Sequence, residues 1–351
     1  MIRRFVLWLL IALLVAGCAD LHATTRALLI GVSGYPNLAP AKRLLGPAND
    51  VQLLRASLLD SGLQAPNITV LADGVANSAA LPTRNQILGE LRALADRSRP
   101  EDWAIVYFSG HGSQQPQPQS EILRPGAYIE PDGLDEIFLP YDVGHWNATL
   151  AQVDGALSDD EIGVALEYFH KRHVKVWVIF DTCHAGDMAK SVSAVPVDAK
   201  PRFIDPAELG VPGALREQAR LAARQQASRS NGKTWNGFSR QASRSLVAGS
   251  ALDRRFIFYA SQPDEPAAEE PLAVPAAFGQ SKTGERRYFG LFTYLIAKEL
   301  PKWRGDFAEL THRVRDAYSA RPYPTPSFEG NLSIVPNFFL PTLTFGARAS
   351  P

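Results

Sequence analysis

Cysteine is nearly absent from this chain: of 351 residues only Cys18 and Cys183 carry a thiol. A disulfide framework is therefore excluded, and a packed core must hold the fold. An excess of one charge is missing too. Lys and Arg number 36 and Asp and Glu 36, a formal net charge of +0, so nothing argues for nucleic acid or an acidic polymer as partner. The apolar run from Phe5 to Ala16 falls short of the ~20 residues that a membrane-spanning helix needs. What the chain does have is 46% hydrophobic residues, enough for the core of one large or two ordinary domains.

Arg3-Arg4 precede that apolar run as a basic n-region, and Val15-Ala16-Gly17-Cys18 resembles the lipobox of bacterial lipoproteins. The resemblance implies a signal peptide over residues 1–18, cleavage before Cys18 and acylation of that cysteine. An uncleaved signal anchor is the other reading of the same residues. Residues 19–25 are then a tether spanning at most ~25 Å, so the domain is expected close to its membrane, in the bacterial cell envelope, facing periplasm or exterior. With Cys18 lipidated, Cys183 is the one thiol of the mature domain.

The stretch Val174 to Gly186 (VKVWVIFDTCHAG) organises the rest. Its apolar residues suit a strand buried on both faces of a parallel sheet, and Asp181, Thr182, Cys183 and His184 follow at the carboxyl end, where ligands bind in open α/β sheets. Trp103 to Phe108 is a second such strand and runs into Ser109-Gly110-His111-Gly112. Side chains alternate along extended backbone, so Ser109 and His111 share one face, as do Asp181 and Cys183. His184 alternates to the opposite face, which leaves His111 as the better candidate for a base acting on the Cys183 thiol.

Along the chain, Arg26 to Val32 reads as a first strand, and Gly46-Pro47 open a helix with Val51, Leu54 and Leu58 on its apolar face. Ile68 to Leu71 is a short strand. Thr83 with Gln86 marks the start of a second helix, and Ser158 with Glu161 the start of a third. The Pro- and Gln-rich stretch Gln114 to Gly126 reads as an exposed excursion, with an extended segment resuming at Asp135 to Pro140. From Lys190 to Ser250 periodicity lapses and basic residues gather, as expected of a flexible, solvated insert over about 190–250. Phe256 to Ala260 is a further strand, Ser261 to Pro275 an acidic loop on the site's rim, Gly290 to Leu300 and Phe307 to Tyr318 two helices, and Ser333 to Phe339 a last extended segment. This order predicts a doubly wound, mostly parallel sheet flanked by helices, three layers α/β/α, over residues 26–340, with a tail at 341–351.

Tyr107 to Gly112 (YFSGHG) together with Asp181 to Gly186 (DTCHAG) resembles the paired His and Cys motifs of the caspase and metacaspase family of cysteine peptidases. Ala27 to Val32, Asn49 to Val51, Asp159 to Glu161, FIFYAS and GLFTYLI are similar to further elements of that family, so the resemblance extends over most of the mature chain. It implies Cys183 as nucleophile and His111 as general base and acid, with the backbone N–H groups of Gly112 and Cys183 as oxyanion donors. It also implies that Asp50, Ser109 and Asp181 line a pocket for a basic residue, and that Asp159 and Asp160, with Asp142, hold calcium, although the chemistry itself needs no cofactor. Asp50 in a first helical turn and the Ser158 cap have purely structural readings as well. The function expected is a membrane-tethered cysteine endopeptidase cutting peptide or protein substrates after Arg in preference to Lys, with self-processing in its Arg-rich segment. The alternative is a catalytically idle caspase-like lipoprotein that binds peptides or partner proteins.

Overall fold

The computed structural model describes residues 23–118, 130, 132–183, 198–229, 254–262, 265–275, 278, 284–319 and 325–336. The expected signal peptide with Cys18, His184 and the 341–351 tail lie outside the described residues. The strands are β1 Thr25–Gly31, β2 Ile68–Ala72, β3 Trp103–Ser109, β4 Gly112–Pro116, β5 Leu134–Phe138, β6 Trp146–Asn147, β7 Gln152–Val153, β8 Leu157–Ser158, β9 Lys175–Asp181, β10 Lys200–Pro201, β11 Arg255–Tyr259, β12 Ala268–Ala273, β13 Arg286–Gly290 and β14 Ser327–Glu329. The helices are α1 Pro47–Asp60, α2 Arg84–Arg97, α3 Asp159–Lys171, α4 Gly213–Arg229, α5 Leu291–Glu299 and α6 Phe307–Tyr318.

Six strands form the main sheet in the order β14-β11-β9-β3-β1-β2, parallel except for β14. Every residue of β3 is buried, which explains why that strand reads as an unbroken apolar run: helices cover both faces. One face packs against α1, α5 and α6 through Val51, Leu54, Phe292, Ile296, Phe307 and Leu310. The other packs against α2 and α3 through Ile87, Leu91, Leu94, Ile162, Leu166 and Phe169. The architecture is thus the expected three-layer α/β/α. Helix α3 starts at a full capping box, Ser158 accepting from the Glu161 N–H while the Glu161 carboxylate accepts from the Ser158 N–H.

Four expectations are corrected. Gln114 to Pro116 is not exposed but continues β4, with Gln114 and Gln115 buried. Burial is tolerated because the amides are bonded: Gln114 donates to Glu136 at 3.1 Å and Gln115 accepts from the Val153 N–H at 2.8 Å. Within the 190–250 segment, α4 is a regular helix. Its Ala, Leu, Arg, Gln and Glu are strong helix formers, a signal separate from apolar periodicity. The acidic loop after Phe256–Ala260 contains β12, which pairs antiparallel with β13. The last strand is Ser327–Glu329, pairing antiparallel with β11; residues 333–336 form no strand, and 337–339 lie outside the described residues.

The helix-covered face is held by an aromatic cluster. The ring of Phe307 stacks on Phe256 at 4.5 Å and touches Trp103, Trp177, Phe258 and Trp303 at 5.9, 5.3, 5.6 and 5.3 Å between centroids. Phe307→Ala is expected to cost ~3–5 kcal/mol, read as a lowered urea midpoint with an unchanged slope.

Candidate active site

Strand register decides where the chemistry meets. β3 and β9 pair in parallel with Tyr107 opposite Ile179 and Ser109 opposite Asp181. Two residues further on, the chain brings His111 level with Cys183. The backbones then approach so closely that a Cβ on residue 112 would lie 2.0 Å from the Cys183 carbonyl oxygen, so only glycine fits there. Gly110 is constrained similarly, since a Cβ would press on the Tyr35 hydroxyl at 3.0 Å and the Phe138 ring at 3.2 Å.

The imidazole is oriented by a backbone carbonyl. His111 Nε2 lies 2.8 Å from the Lys42 carbonyl oxygen, which can only accept, so Nε2 carries the proton and Nδ1 keeps its lone pair. Tyr35 holds the same residue twice, its hydroxyl accepting from the His111 N–H at 2.7 Å and its ring lying 5.0 Å from the imidazole. Burial pushes His111 down to about 4, with the Lys42 carbonyl opposing and the Arg202 cation adding to the effect. At neutral pH the ring is therefore an uncharged base. Cys183 is fully buried, and its Sγ lies 3.7 Å from the Glu265 carbonyl.

Asp50, Ser109 and Asp181 converge on one point of the fold. The Ser109 hydroxyl donates to Asp50 Oδ2 at 2.9 Å. Asp50 Oδ1 accepts from the Gly290 N–H at 2.9 Å, and Asp181 Oδ2 from the Thr293 N–H at 3.0 Å. All three surround the guanidinium of Arg202, which is 0% exposed. Its Nη2 pairs with Asp50 at 2.5 Å, its Nη1 with Asp181 Oδ1 at 3.0 Å, and Nη1 also donates to Ser109 Oγ at 3.0 Å. Glu269 forms a further wall 3.8 Å from Nη2, held by the N–H groups of Leu45 and Gly46 at 2.8 Å each. Two glycines make the room: a Cβ at Gly46 would sit 2.6 Å from Arg202 Nη2, and one at Gly290 would sit 2.5 Å from Nη1. With three carboxylates around one cation, burial pushes Asp50 up to about 7 against the pull of Arg202, and Asp181 pushes the same way. Burial raises Glu269 too.

Residues 25–191 match the family described as metacaspase, peptidase C14 domain. The likeness to metacaspases covers just under half of the chain. The chain is 31% identical over 163 residues to metacaspase-1 of Candida albicans, covering 46% of this chain and 33% of that protein. To metacaspase-1 of Lodderomyces elongisporus it is 32% identical over 163 residues, covering 46% and 33%. The chain thus spans about a third of the length of these curated relatives. A crystal structure of a Geobacter sulfurreducens protein aligns with a TM-score of 0.52 at 18% identity, covering 90% of this chain and 96% of that one, a likeness of fold.

A second acidic site lies within the matched region. Carboxylate oxygens of Glu130, Asp135 and Asp159 lie within 4.8 Å of one another. Burial, then the negative charge of Asp159, Asp132 and Asp160, pushes Glu130 up to about 9. Of the expected calcium ligands only Asp159 belongs to it. Asp160 acts on Glu130 through space, while Asp142 stands elsewhere, its Oδ1 accepting from the Arg84 N–H at the start of α2 at 2.8 Å. Sequence reasoning missed Arg202, Glu269, Glu130 and Asp135. The first two lie in segments read as loop. The usable signals were the paired Glu269-Glu270 after the β11 strand and the acids flanking Gly133-Leu134.

His111 gives a pH prediction. Its value in the fold, about 4, lies below the 6.5 of a free imidazole, so between these values the unfolded chain binds a proton that the folded one refuses. The gap is worth on the order of 3 kcal/mol of stability at neutral pH, lost as pH falls from about 6.5 towards 4. Asp50 acts in the opposite sense, its raised value favouring the fold most below about 4 and losing that contribution as pH rises through 7. The measurement is therefore the difference in urea midpoint between wild type and His111→Gln, which is expected to shrink from pH 7 to pH 4.

Proposed function

We propose that this chain is a cysteine endopeptidase that cuts peptide and protein substrates after basic residues, Arg before Lys. The observation that carries the reading is the buried guanidinium held by Asp50, Ser109 and Asp181 beside His111 and Cys183. A planar fork bonded by two carboxylates and a hydroxyl is what an Arg side chain offers and a Lys ammonium does not.

In this reading the Cys183 thiol gives its proton to His111 Nδ1, and the thiolate adds to the carbonyl carbon after the basic residue. The Gly112 and Cys183 N–H groups receive the oxyanion, and His111 returns the proton to the leaving amine. Water then releases the acyl group as a carboxylate and restores the thiol. The family needs no cofactor for this chemistry. Calcium, if bound, is assigned to Glu130, Asp135 and Asp159, which supply hard oxygen ligands; it would neutralise their repulsion and take no part in the bond cleavage.

The same proposal includes the lipid on Cys18 and a place in the cell envelope, on the strength of the n-region and lipobox-like residues. Among the described residues no helix is long and apolar enough to cross a membrane. Self-processing in the Arg-rich segment also belongs to it, but Arg216, Arg220 and Arg224 lie in helix α4, which must unwind before an extended cleft can accept it.

The test is kcat/KM for matched peptides bearing Arg, Lys, Ala or Asp before the cut. Arg is expected first and Asp last. Asp181→Ala should lower the value for Arg substrates roughly 10- to 100-fold, since a charge-assisted hydrogen bond is worth ~1.5–3 kcal/mol. Cys183→Ala should abolish turnover with the fold intact. A preference for Asp, or an Arg preference untouched by Asp181→Ala, would show that the pocket has been misassigned. Absence of hydrolysis together with tight peptide binding would favour the idle, binding lipoprotein.

A further inference from the structure

His111 and Cys183 stand at one end of the main sheet, and the chain enters that sheet at the other. Thr25 pairs with Trp103 and Trp103 with Lys175, so β1, β3 and β9 begin level with one another, and Arg255 starts β11 opposite Val176. Ser109, at the far end of β3, lies ~20 Å along the strand from that level at ~3.3 Å per residue, and His111 and Cys183 lie beyond it. The chain is pinned where it enters. The Thr24 N–H donates to Asp102 Oδ1 at 2.7 Å, and the Thr24 carbonyl accepts from the Trp103 N–H at 3.0 Å.

This entry end is basic, in a chain whose formal net charge is +0. Backbone bonds from Glu101 to the His173 carbonyl and from Lys175 to the Asp102 carbonyl, with the Arg254 guanidinium on the His173 carbonyl, bring its segments together. Arg26 and residues 96–102, 170–175 and 254–255 carry eight Lys or Arg against three Asp or Glu. The three acids are already engaged. Glu101 holds Lys175 at 3.1 Å and Arg254 at 2.5 Å, Asp102 holds Arg26 at 2.8 Å, and Asp96 accepts from the Tyr168 hydroxyl at 2.7 Å and from Arg92 at 3.2 Å. Arg99 and Lys171 are exposed, and among the described residues neither pairs with an acid. The unbalanced positive charge therefore faces solvent.

We propose that the entry end of the sheet docks on an anionic phospholipid surface and holds the cleft turned away from it. The inference rests on the lipid anchor proposed above and adds the face that the anchored domain presents. From Cys18 to the pinned Thr24 the chain takes six steps, a reach of at most ~21 Å. A domain inverted on the membrane would use up that reach in running along the sheet to the level of the cleft, with nothing left to round its edge. With the entry end down, the anchor and the basic residues meet the same surface. Lys and Arg within a Debye length of anionic headgroups each strengthen binding about 5-fold, an effect that salt weakens. The orientation also sets the substrate class. The cleft serves soluble proteins, or segments of membrane proteins standing more than ~20 Å clear of the bilayer, and a bond beside a membrane-spanning segment stays out of reach.

Two readouts on the full chain test this. The first is binding to phosphatidylcholine vesicles with and without phosphatidylglycerol. Wild type is expected to prefer the anionic vesicles, and Arg99→Gln/Lys171→Gln to lose roughly 10- to 30-fold of that affinity at low salt while binding neutral vesicles as before. Arg99→Glu/Lys171→Glu should lose more, with circular dichroism confirming that each variant is folded. The second is energy transfer to a headgroup-labelled lipid from a fluorophore on a single introduced thiol, in a Cys183→Ala background. A label on Pro100→Cys, exposed at the entry end, is expected to transfer strongly, and one on Ala41→Cys, exposed beside the Lys42 carbonyl that meets His111, weakly. Equal binding to both vesicle types, folded variants that bind anionic vesicles as wild type does, or stronger transfer from residue 41 than from residue 100 overturns the inference. Retention on polyglutamate without a preference for phosphatidylglycerol would assign the face to an acidic protein partner and overturns it as well. The mass of the amino-terminal peptide decides the anchor by itself: an unacylated Cys18 refutes that reading, and the vesicle comparison still decides the basic face.

Discussion

Arg202 carries a positive charge where no solvent reaches it, an arrangement that costs several kcal/mol per ion unless opposite charges and hydrogen bonds surround it. Here they do: Asp50, Asp181, Glu269 and the Ser109 hydroxyl converge on one guanidinium. The residues that make this possible come from five places in the chain, the start of α1, the ends of β3 and β9, the middle strand β12 of the small sheet and the segment after β10. The pocket therefore exists only when the parallel sheet, its helices and the small β10-β12-β13 sheet are all in register. Gly46 and Gly290 are as necessary as the acids, because any side chain there would displace the guanidinium.

In the proposed reading the same constraint connects specificity to catalysis. Ser109 and Asp181 stand opposite each other on β3 and β9, and His111 and Cys183 follow two residues later on the same pair of strands. Arg202, whose guanidinium meets Ser109 and Asp181, has its own carbonyl on the Gly112 N–H. Burial, with Asp181 adding to it, pushes Asp50 up to about 7 against the pull of Arg202.

Much of this was legible in the sequence, and for definite reasons. The buried strands announced themselves as apolar runs, and period-two alternation alone set Ser109 with His111 and Asp181 with Cys183. Thr83 and Ser158 marked their helix starts because capping depends on a local pattern. Arg202 was not legible, since nothing in a KPRFI stretch distinguishes an arm folded into a cleft from an exposed turn. Glu269 was hidden for a similar reason: a short strand of a small sheet with prolines around it reads as loop. The acidic cluster of Glu130, Asp135 and Asp159 joins residues from an irregular segment, a strand and the first turn of a helix, and Asp142, expected to join Asp159 and Asp160, is bonded to the start of α2 instead.

The central claim is that charge in this pocket, not shape, selects the substrate. Citrulline has the outline of Arg without its charge, so kcat/KM for two peptides that differ only by Arg or citrulline before the cut isolates that claim. Loss of several charge-assisted hydrogen bonds predicts a fall of roughly 100-fold or more with citrulline. Equal values for the two peptides would contradict it.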